Sequence, residues 1–491
     1  MRYTFLTPGI RKDLPNIAIL SFLYLLQGIP LGVTLGSLPF LLKSRLSFSQ
    51  MAIFSLAGYP YSLKLLWSPL VDSLFWRSIG RRKSWVLPVQ IVTAAVMWWI
   101  SSWVDSEVDG LHPDINLLTI SFTFLVMLSA TQDVAVDGWA IEALAKENIE
   151  YASTAQTLGL NSGYFLSFTV FLALNSPEFC SRYLSFLMTD GKGVLQLGSY
   201  LRFWSLLYMV ATACVSQVRE REPLEVESAA GVYATVLRIS KMPNMLVLLA
   251  LLFICKVPFT LNESVTALKL VELGVDRDIL AAAVLIDFPI QVVVGVLAAR
   301  WAAGGGAWRT WLKAYYGRLF FAGVGVIVVW AYPTGGITNS YLSIVVASSV
   351  MSSFVSTVQF VSLGSFFATI ADPTVGGTYM TLLNTFSNLG GTWAKPIVLW
   401  LVDFLTVSTC MDSNGSLGPE DGHGCAVNES AKLACSESGG SCTVVRDGYY
   451  VVGIASVLLG IALLRFAIRP LVESVNAVPT HKWAVPIQRK S

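Results

Sequence analysis

The chain has 491 residues, 54% hydrophobic and only 13% charged, with a mean hydropathy of +0.62. A water-soluble domain carries about 25% charged residues, so this chain lacks the polar groups to cover a water-facing surface, and the soluble classes are excluded. The net charge of +2 decides nothing by itself, because in membranes the asymmetry between loops carries the information; the bilayer, not nucleic acid, is the implied partner.

Apolar windows of about 20 residues give roughly twelve candidate spans. They centre on 17–42, 51–75, 85–104, 116–144, 152–174, 199–218, 245–270, 279–300, 311–331, 341–370, 378–407 and 449–468. The lead "MRYTFLTPGIRKDLPN" has no small-residue cleavage site after an isolated apolar core, so the first span is expected to stay and act as its own signal. With both termini cytosolic, the inner segments hold about 20 Lys and Arg and the outer ones about 8, which sets the expected orientation.

Along the chain, span one carries Gln27 within "LQGIPLG", and span two carries Lys64 within "YPYSLKLLWSP". The turn that follows has Asp72 at the helix end and Gly80, Arg81, Arg82 and Lys83 after it. Glycine permits a tight turn there, and the cations can hold helix ends and carboxylates of neighbouring spans. Span four ends in "ATQDVAVDGWAIEAL", where Asp133 and Asp137 share a helix face and Glu142 lies near the surface. The expected partners of Asp133 and Asp137 are Arg81 and Arg82, in a cluster that latches one end of a gate.

The loop 219–244 is charged and proline-bearing, and it divides the chain into a six-span set at 1–218 and another at 245–470, with a cytosolic tail at 471–491. Six plus six, all helical, is the layout of the major facilitator superfamily, in which two bundles rock around a midplane cavity. Span seven carries Lys256, Glu263 and Lys269, span nine Arg318, and span eleven Asn384, Asn388 and Lys395. Glu263 lies two turns from Lys256, so an ion pair between them is expected.

The loop 408–448 holds Cys410, Cys425, Cys435 and Cys442 together with the sequons at Asn414 and Asn428. Two disulfides in an oxidising compartment follow, with three connectivities open, and glycosylation needs the same side. The three histidines lie in loops or the tail without spaced partners, and no Walker A sequence occurs, so neither a metal site, a resident cofactor nor ATP-driven chemistry is expected.

"LQGIPLG", "SLKLLWSPLVD", "GRRKSW", "TQDVAVDGWA", "LKLVELGV" and "GGTYMTLLNTFSNLGG" together resemble the acetyl-coenzyme A transporter family of the endoplasmic reticulum. The resemblance runs from about residue 15 to the end of the last span. It implies a carrier, not an enzyme, that moves cytosolic acetyl-CoA into the lumen for acetylation there. Related bacterial muropeptide permeases carry a similar block in span four, so another anionic metabolite or a sugar-peptide is the alternative cargo.

The implied cargo bears several negative charges on phosphates, and its carrier needs desolvated cations in the cavity. Lys64 and Lys256 are the leading candidates, with Lys395 beside Pro396, and the amides of Gln27, Asn384 and Asn388 can meet the pantetheine arm. For each cation the competing role is an ion pair between helices. Coupling is open among exchange with CoA, proton coupling and facilitated diffusion; Glu263, Asp133 and Asp137 are the carboxylates that can titrate. A homodimer is equally open.

Overall fold

The computed structural model describes residues 8–43, 45–110, 112–145, 150–187, 193–220, 228–302, 306–333, 337–371, 376–411, 425, 435–437 and 439–483. Among these residues the regular structure is helical except for one antiparallel hairpin of β1 (Val407–Met411) and β2 (Ser441–Arg446). Nine described helical stretches are long and apolar enough to cross a membrane: Asp13–Leu42, Lys83–Ile100, Ile115–Ala140, Ala155–Asn175, Pro243–Glu272, Leu285–Ala302, Ala307–Trp330, Asn339–Ile370 and Gly448–Asn476. Their outer faces carry apolar side chains that no protein covers. Ile120, Phe320, Phe360 and Ile454 are each more than half exposed, at 70%, 66%, 66% and 58%, which suits hydrocarbon and would be ruinous in water.

The other expected spans take different forms. Leu197–Gln217 is one helix. The second span is broken into Phe48–Phe54, Tyr59–Leu63 and Ser68–Ser73, joined by tighter turns at Ser55–Gly58 and Lys64–Leu66. Pro60 and Pro69 lack the N–H a continuous helix would need, and each stands near the start of a new helical piece, where that loss costs nothing. The first piece opens on a capping box, with Ser47 accepting from the Gln50 N–H at 3.2 Å and Gln50 accepting from the Ser47 N–H at 3.0 Å. The eleventh span divides into Gly376–Thr392 and Ala394–Leu405. Pro396 would clash with the carbonyl four residues back, at Thr392, where the first piece ends. Trp393 at the break stacks on Phe253 with centroids 5.0 Å apart and donates its indole N–H to the Phe253 carbonyl at 2.9 Å.

The chain divides into two compact units: Met1–Leu38, Ala57–Gly110 and Leu117–Thr235 in one, and Pro39–Leu56, Leu111–Asn116 and Val236–Ser491 in the other. In the first unit, the Pro8–Leu31 helix lies directly on Glu150–Phe165. A Cβ on Gly28 would stand 2.9 Å from the Gly163 Cα, and one on Gly163 would stand 2.8 Å from the Gly28 Cα, so the backbones meet without side chains between them. Overpacking costs about 1–3 kcal/mol even where side chains can yield, and here only backbone is in the way. Gly163→Leu is therefore expected to lower the unfolding midpoint of the detergent-purified protein sharply, whereas Gly323→Leu, with nothing within 4 Å of its Cβ, should leave it unchanged. Equal midpoints would show that these helices do not depend on the contact.

In the second unit, Val358 of Asn339–Ile370 packs with Val294 and Ala298 of Arg277–Ala302 and Ala314 of Ala307–Trp330. The hairpin pairs Cys410 with Cys442 in register, and disulfides join Cys410 to Cys435 and Cys425 to Cys442. That resolves the three connectivities. Asn414 and Asn428 lie outside the described residues. The segment expected to be a linker carries a helix at Ala229–Ser240. Beyond the last span the chain continues as Arg469–Asn476 and returns to bury Trp483, 1% exposed, beside Phe366 and Tyr379.

Candidate functional site

Three groups of charged side chains stand out, two in the first unit and one in the second. The first sits at the turn between Ser68–Ser73 and Lys83–Ile100. Gly80 adopts φ +109°, the left-handed region, which lets the chain double back. Arg82, 6% exposed, reaches Asp72 at 2.6 Å and Glu142 at 2.7 Å, and Arg81 reaches Glu142 at 3.2 Å and the Asp72 carbonyl at 2.8 Å. Glu220 accepts from the Arg82 and Lys83 backbone N–H groups at 2.6 and 3.2 Å, an anion at the start of Lys83–Ile100 where unpaired N–H groups point outward. Burial works against the Arg82 charge, but the Glu142 and Asp72 carboxylates outweigh it and hold its pKa above the ordinary value. Arg81 is lowered, by burial and by the like charge of Arg82. Arg82 is therefore the cation the cluster is built around.

Gly138 explains how that cation fits. A Cβ on Gly138 would overlap the Arg82 guanidinium, so the bare backbone of Ile115–Ala143 provides the surface on which it lies.

The expected partnership of Asp133 and Asp137 with Arg81 and Arg82 is not what the structure contains. Asp133 is 0% exposed and is bonded to Lys64, which also lies over the Tyr61 ring at 5.0 Å. Asp137 accepts from the Tyr24 hydroxyl at 2.7 Å and the Gln156 amide at 2.8 Å, with Lys64 at 3.9 Å. The four-residue spacing aligned the two acids correctly, but Glu142, five residues beyond Asp137, lies about 140° round the helix and so on another face. The carboxylates at the arginines are Asp72, Glu142 and Glu220. Lys64 in turn is a counter-ion inside the unit, and Gln27 is 0% exposed with neither amide atom hydrogen-bonded, so neither stands open to a ligand in this arrangement.

The second unit holds the remaining cations. Glu263 pairs with Arg318, not with Lys256, and Arg318 also donates to Gln359 and lies over the Phe259 ring at 4.2 Å. Lys269 is fixed by Glu272 and Asp447, each at 2.7 Å, and Lys43 reaches Glu272 at 2.8 Å. Among the described residues Lys256 makes no salt bridge; it donates to the Ser387 carbonyl at 2.7 Å and lies along Gly391, whose Cβ would stand 3.3 Å from its Cδ. Lys395 makes no salt bridge among the described residues. Asn384, Asn388, Gly391 and Lys395 recur at helical spacing, so the two amides and two cations follow one side of the broken eleventh span. Asn384 is exposed and Asn388 half-buried. Among the described residues no group of His, Cys, Asp and Glu could hold a metal ion.

Comparison with known proteins agrees with this architecture. The family model described as Acetyl-coenzyme A transporter 1 matches residues 16–229, 217–310 and 303–485. An uncharacterized protein of Schizosaccharomyces pombe is 38% identical across 98% of this chain and 90% of its own length. An uncharacterized membrane protein of Saccharomyces cerevisiae is 35% identical across 96% and 98%. The anhydromuropeptide permease of Escherichia coli is 30% identical over 31% of this chain and 30% of its own. Among solved structures, a bacterial homologue of the lysosomal transporter Spinster superposes with a TM-score of 0.57 at 12% identity, covering 98% of this chain and 100% of that one. A D-xylose–proton symporter gives 0.57 at 13%, covering 96% and 99%. The fold is that of the major facilitator superfamily, and the chain is a multi-pass membrane transporter.

Proposed function

The chain belongs to the acetyl-coenzyme A transporter family, and from that premise we propose that it carries acetyl-CoA from the cytosol into the endoplasmic reticulum lumen by alternating access. The observation that carries this reading is the pair of intramembrane cations, Lys256 and Lys395, that have no carboxylate partner among the described residues. An unpaired cation in a bilayer is too costly to keep without an anion to meet, and the phosphates of acetyl-CoA supply one. Asn384 and Asn388 then offer amides to the pantetheine arm. Both termini face the cytosol, and the bridged Cys410–Cys442 loop faces the oxidising lumen, in keeping with its two disulfides. The Gly80 turn, with Asp72, Arg81, Arg82, Glu142 and Glu220, acts as the cytosolic gate, a cluster made in one state and broken in the other.

Labelled acetyl-CoA offered to proteoliposomes, with and without internal CoA, tests the cargo. Saturable uptake is expected, and its absence under both conditions would remove acetyl-CoA. Losing one charge-assisted hydrogen bond costs about 1.5–3 kcal/mol, so Lys395→Ala should raise KM about tenfold to a hundredfold, with Lys395→Arg between. Wild-type KM in both variants would show that Lys395 does not meet cargo. The second reading, a sugar-peptide cargo, draws on the local likeness to the permease; uptake of an anhydromuropeptide with none of acetyl-CoA would establish it instead.

A further inference from the structure

The carboxylates that the sequence offered for titration are each balanced or wetted. Asp133 holds Lys64, Glu263 holds Arg318, and Asp137, 39% exposed, has Lys64 at 3.9 Å beside its two neutral donors. Asp287 is different. It stands in the interior of Arg277–Ala302, in the apolar run "AAAVLIDFPIQVVV", one turn before Gln291. Its face, shared with Ile290, Val294 and Ala298, packs on Asn339–Ile370.

One oxygen, Oδ2, accepts from the Ser353 hydroxyl at 2.7 Å and from the Gln291 amide, which also donates to Ser353 at 2.9 Å. The other, Oδ1, is buried and accepts no hydrogen bond among the described residues. Both donors are neutral, and Asp287 makes no salt bridge among the described residues. Asn339–Ile370, the helix it faces, carries no charged residue along its length. Glu263, on the wall of the neighbouring cavity, is paired with Arg318.

Beside the triad lies a cavity of about 300 Å³ lined by Ser349, Ser352, Ser353, Ser356, Asn262 and Glu263, among others. Its serine-lined side is polar and the space is wide enough for water, and Ser353 belongs both to that wall and to the acid's hydrogen bonds.

An ionised carboxylate with one oxygen sealed and no salt bridge is costly at membrane depth, and one proton on Oδ1 removes that charge. We propose that Asp287 is a proton-binding site of the transport cycle, loaded and emptied through the serine-lined cavity. This rests on the chain being a transporter and not on acetyl-CoA being its cargo.

The test has two arms on the full-length protein. In the first, a carbodiimide, which adds across the O–H of a protonated carboxylic acid to give a stable acylurea, is applied over a pH series and the adduct located by mass spectrometry. Labelling at Asp287 is expected, falling about tenfold per pH unit above its midpoint, and absent in the near-isosteric Asp287→Asn. No adduct at Asp287, or one that ignores pH, overturns the proposal whatever the cargo proves to be. In the second arm, proteoliposomes carry a trapped pH indicator. Wild-type acetyl-CoA uptake should respond to an imposed proton gradient and move protons, while Asp287→Asn keeps CoA exchange and loses the gradient response. A response that survives in Asp287→Asn overturns the role in coupling, and a sodium gradient driving uptake in its place does so equally.

Discussion

Lys64→Ala is expected to cost the protein about 3–5 kcal/mol of stability, the usual penalty for removing one member of a buried ion pair. Asp133 is 0% exposed, its Oδ1 accepts no hydrogen bond among the described residues, and Lys64 is the cation bonded to it. Removing the ammonium strands a fully buried carboxylate beside the like charge of Asp137. The reverse change is gentler. Asp133→Asn leaves Lys64 with Asp137 at 3.9 Å and the Tyr61 ring at 5.0 Å, so the ammonium keeps a counter-charge and a favourable ring face. The double variant Lys64→Met/Asp133→Leu replaces the pair by apolar side chains and should recover most of the loss, because neither charge is then stranded. Thermal unfolding of the purified protein ranks the three. A Lys64→Ala protein as stable as wild type but with impaired acetyl-CoA uptake would return Lys64 to the cargo site, where the sequence alone had suggested it.

That ranking turns on something the sequence could not disclose. Spacing shows that Asp133 and Asp137 share a face, but not which helix meets that face. The choice between Lys64 and the arginines depended on the break in the second span, where the tight turn at Lys64–Leu66 sets the Lys64 ammonium on Asp133. Residues 51–75 read as one span, although Pro60 and Pro69, the signal for the break, stand in "YPYSLKLLWSP". The membrane class, the Gly80 turn and the cysteine-rich loop were legible: each is written in local composition. Glu263 was paired with Lys256 by sequence distance, whereas Arg318, from a helix more than fifty residues away, reached it first. Asp287 was missed although its signal was present. An Asp inside an apolar run, with Gln four residues on and a proline between, breaks the pattern as openly as Asp133 does.

The strongest effect on transport is expected at Arg82. It is the more buried of the two arginines, 6% exposed against 16%, and the one that bridges Asp72 and Glu142. If the cluster closes the cytosolic gate, Arg82→Ala takes the cation from Asp72, leaves Glu142 with the more exposed Arg81, and removes the closed state's principal bond. Acetyl-CoA uptake should fall at least about tenfold, the effect of some 1.4 kcal/mol on a gating equilibrium, and Arg81→Ala should fall less. Gly138 supplies the independent check, because a side chain there would occupy the guanidinium's position without touching any charge. Gly138→Leu should reproduce the Arg82→Ala defect, and combining them should add little, since both remove the same contact. Fully additive defects, or a Gly138→Leu protein with normal uptake, would mean that the guanidinium's seat on this helix is incidental to the gate. Exchanging Arg82→Glu with Glu142→Arg then distinguishes attraction from shape. Partial recovery in the pair, relative to either single change, is expected of an electrostatic latch, while no recovery would assign the role to the planar fork of arginine against the bare Gly138 backbone.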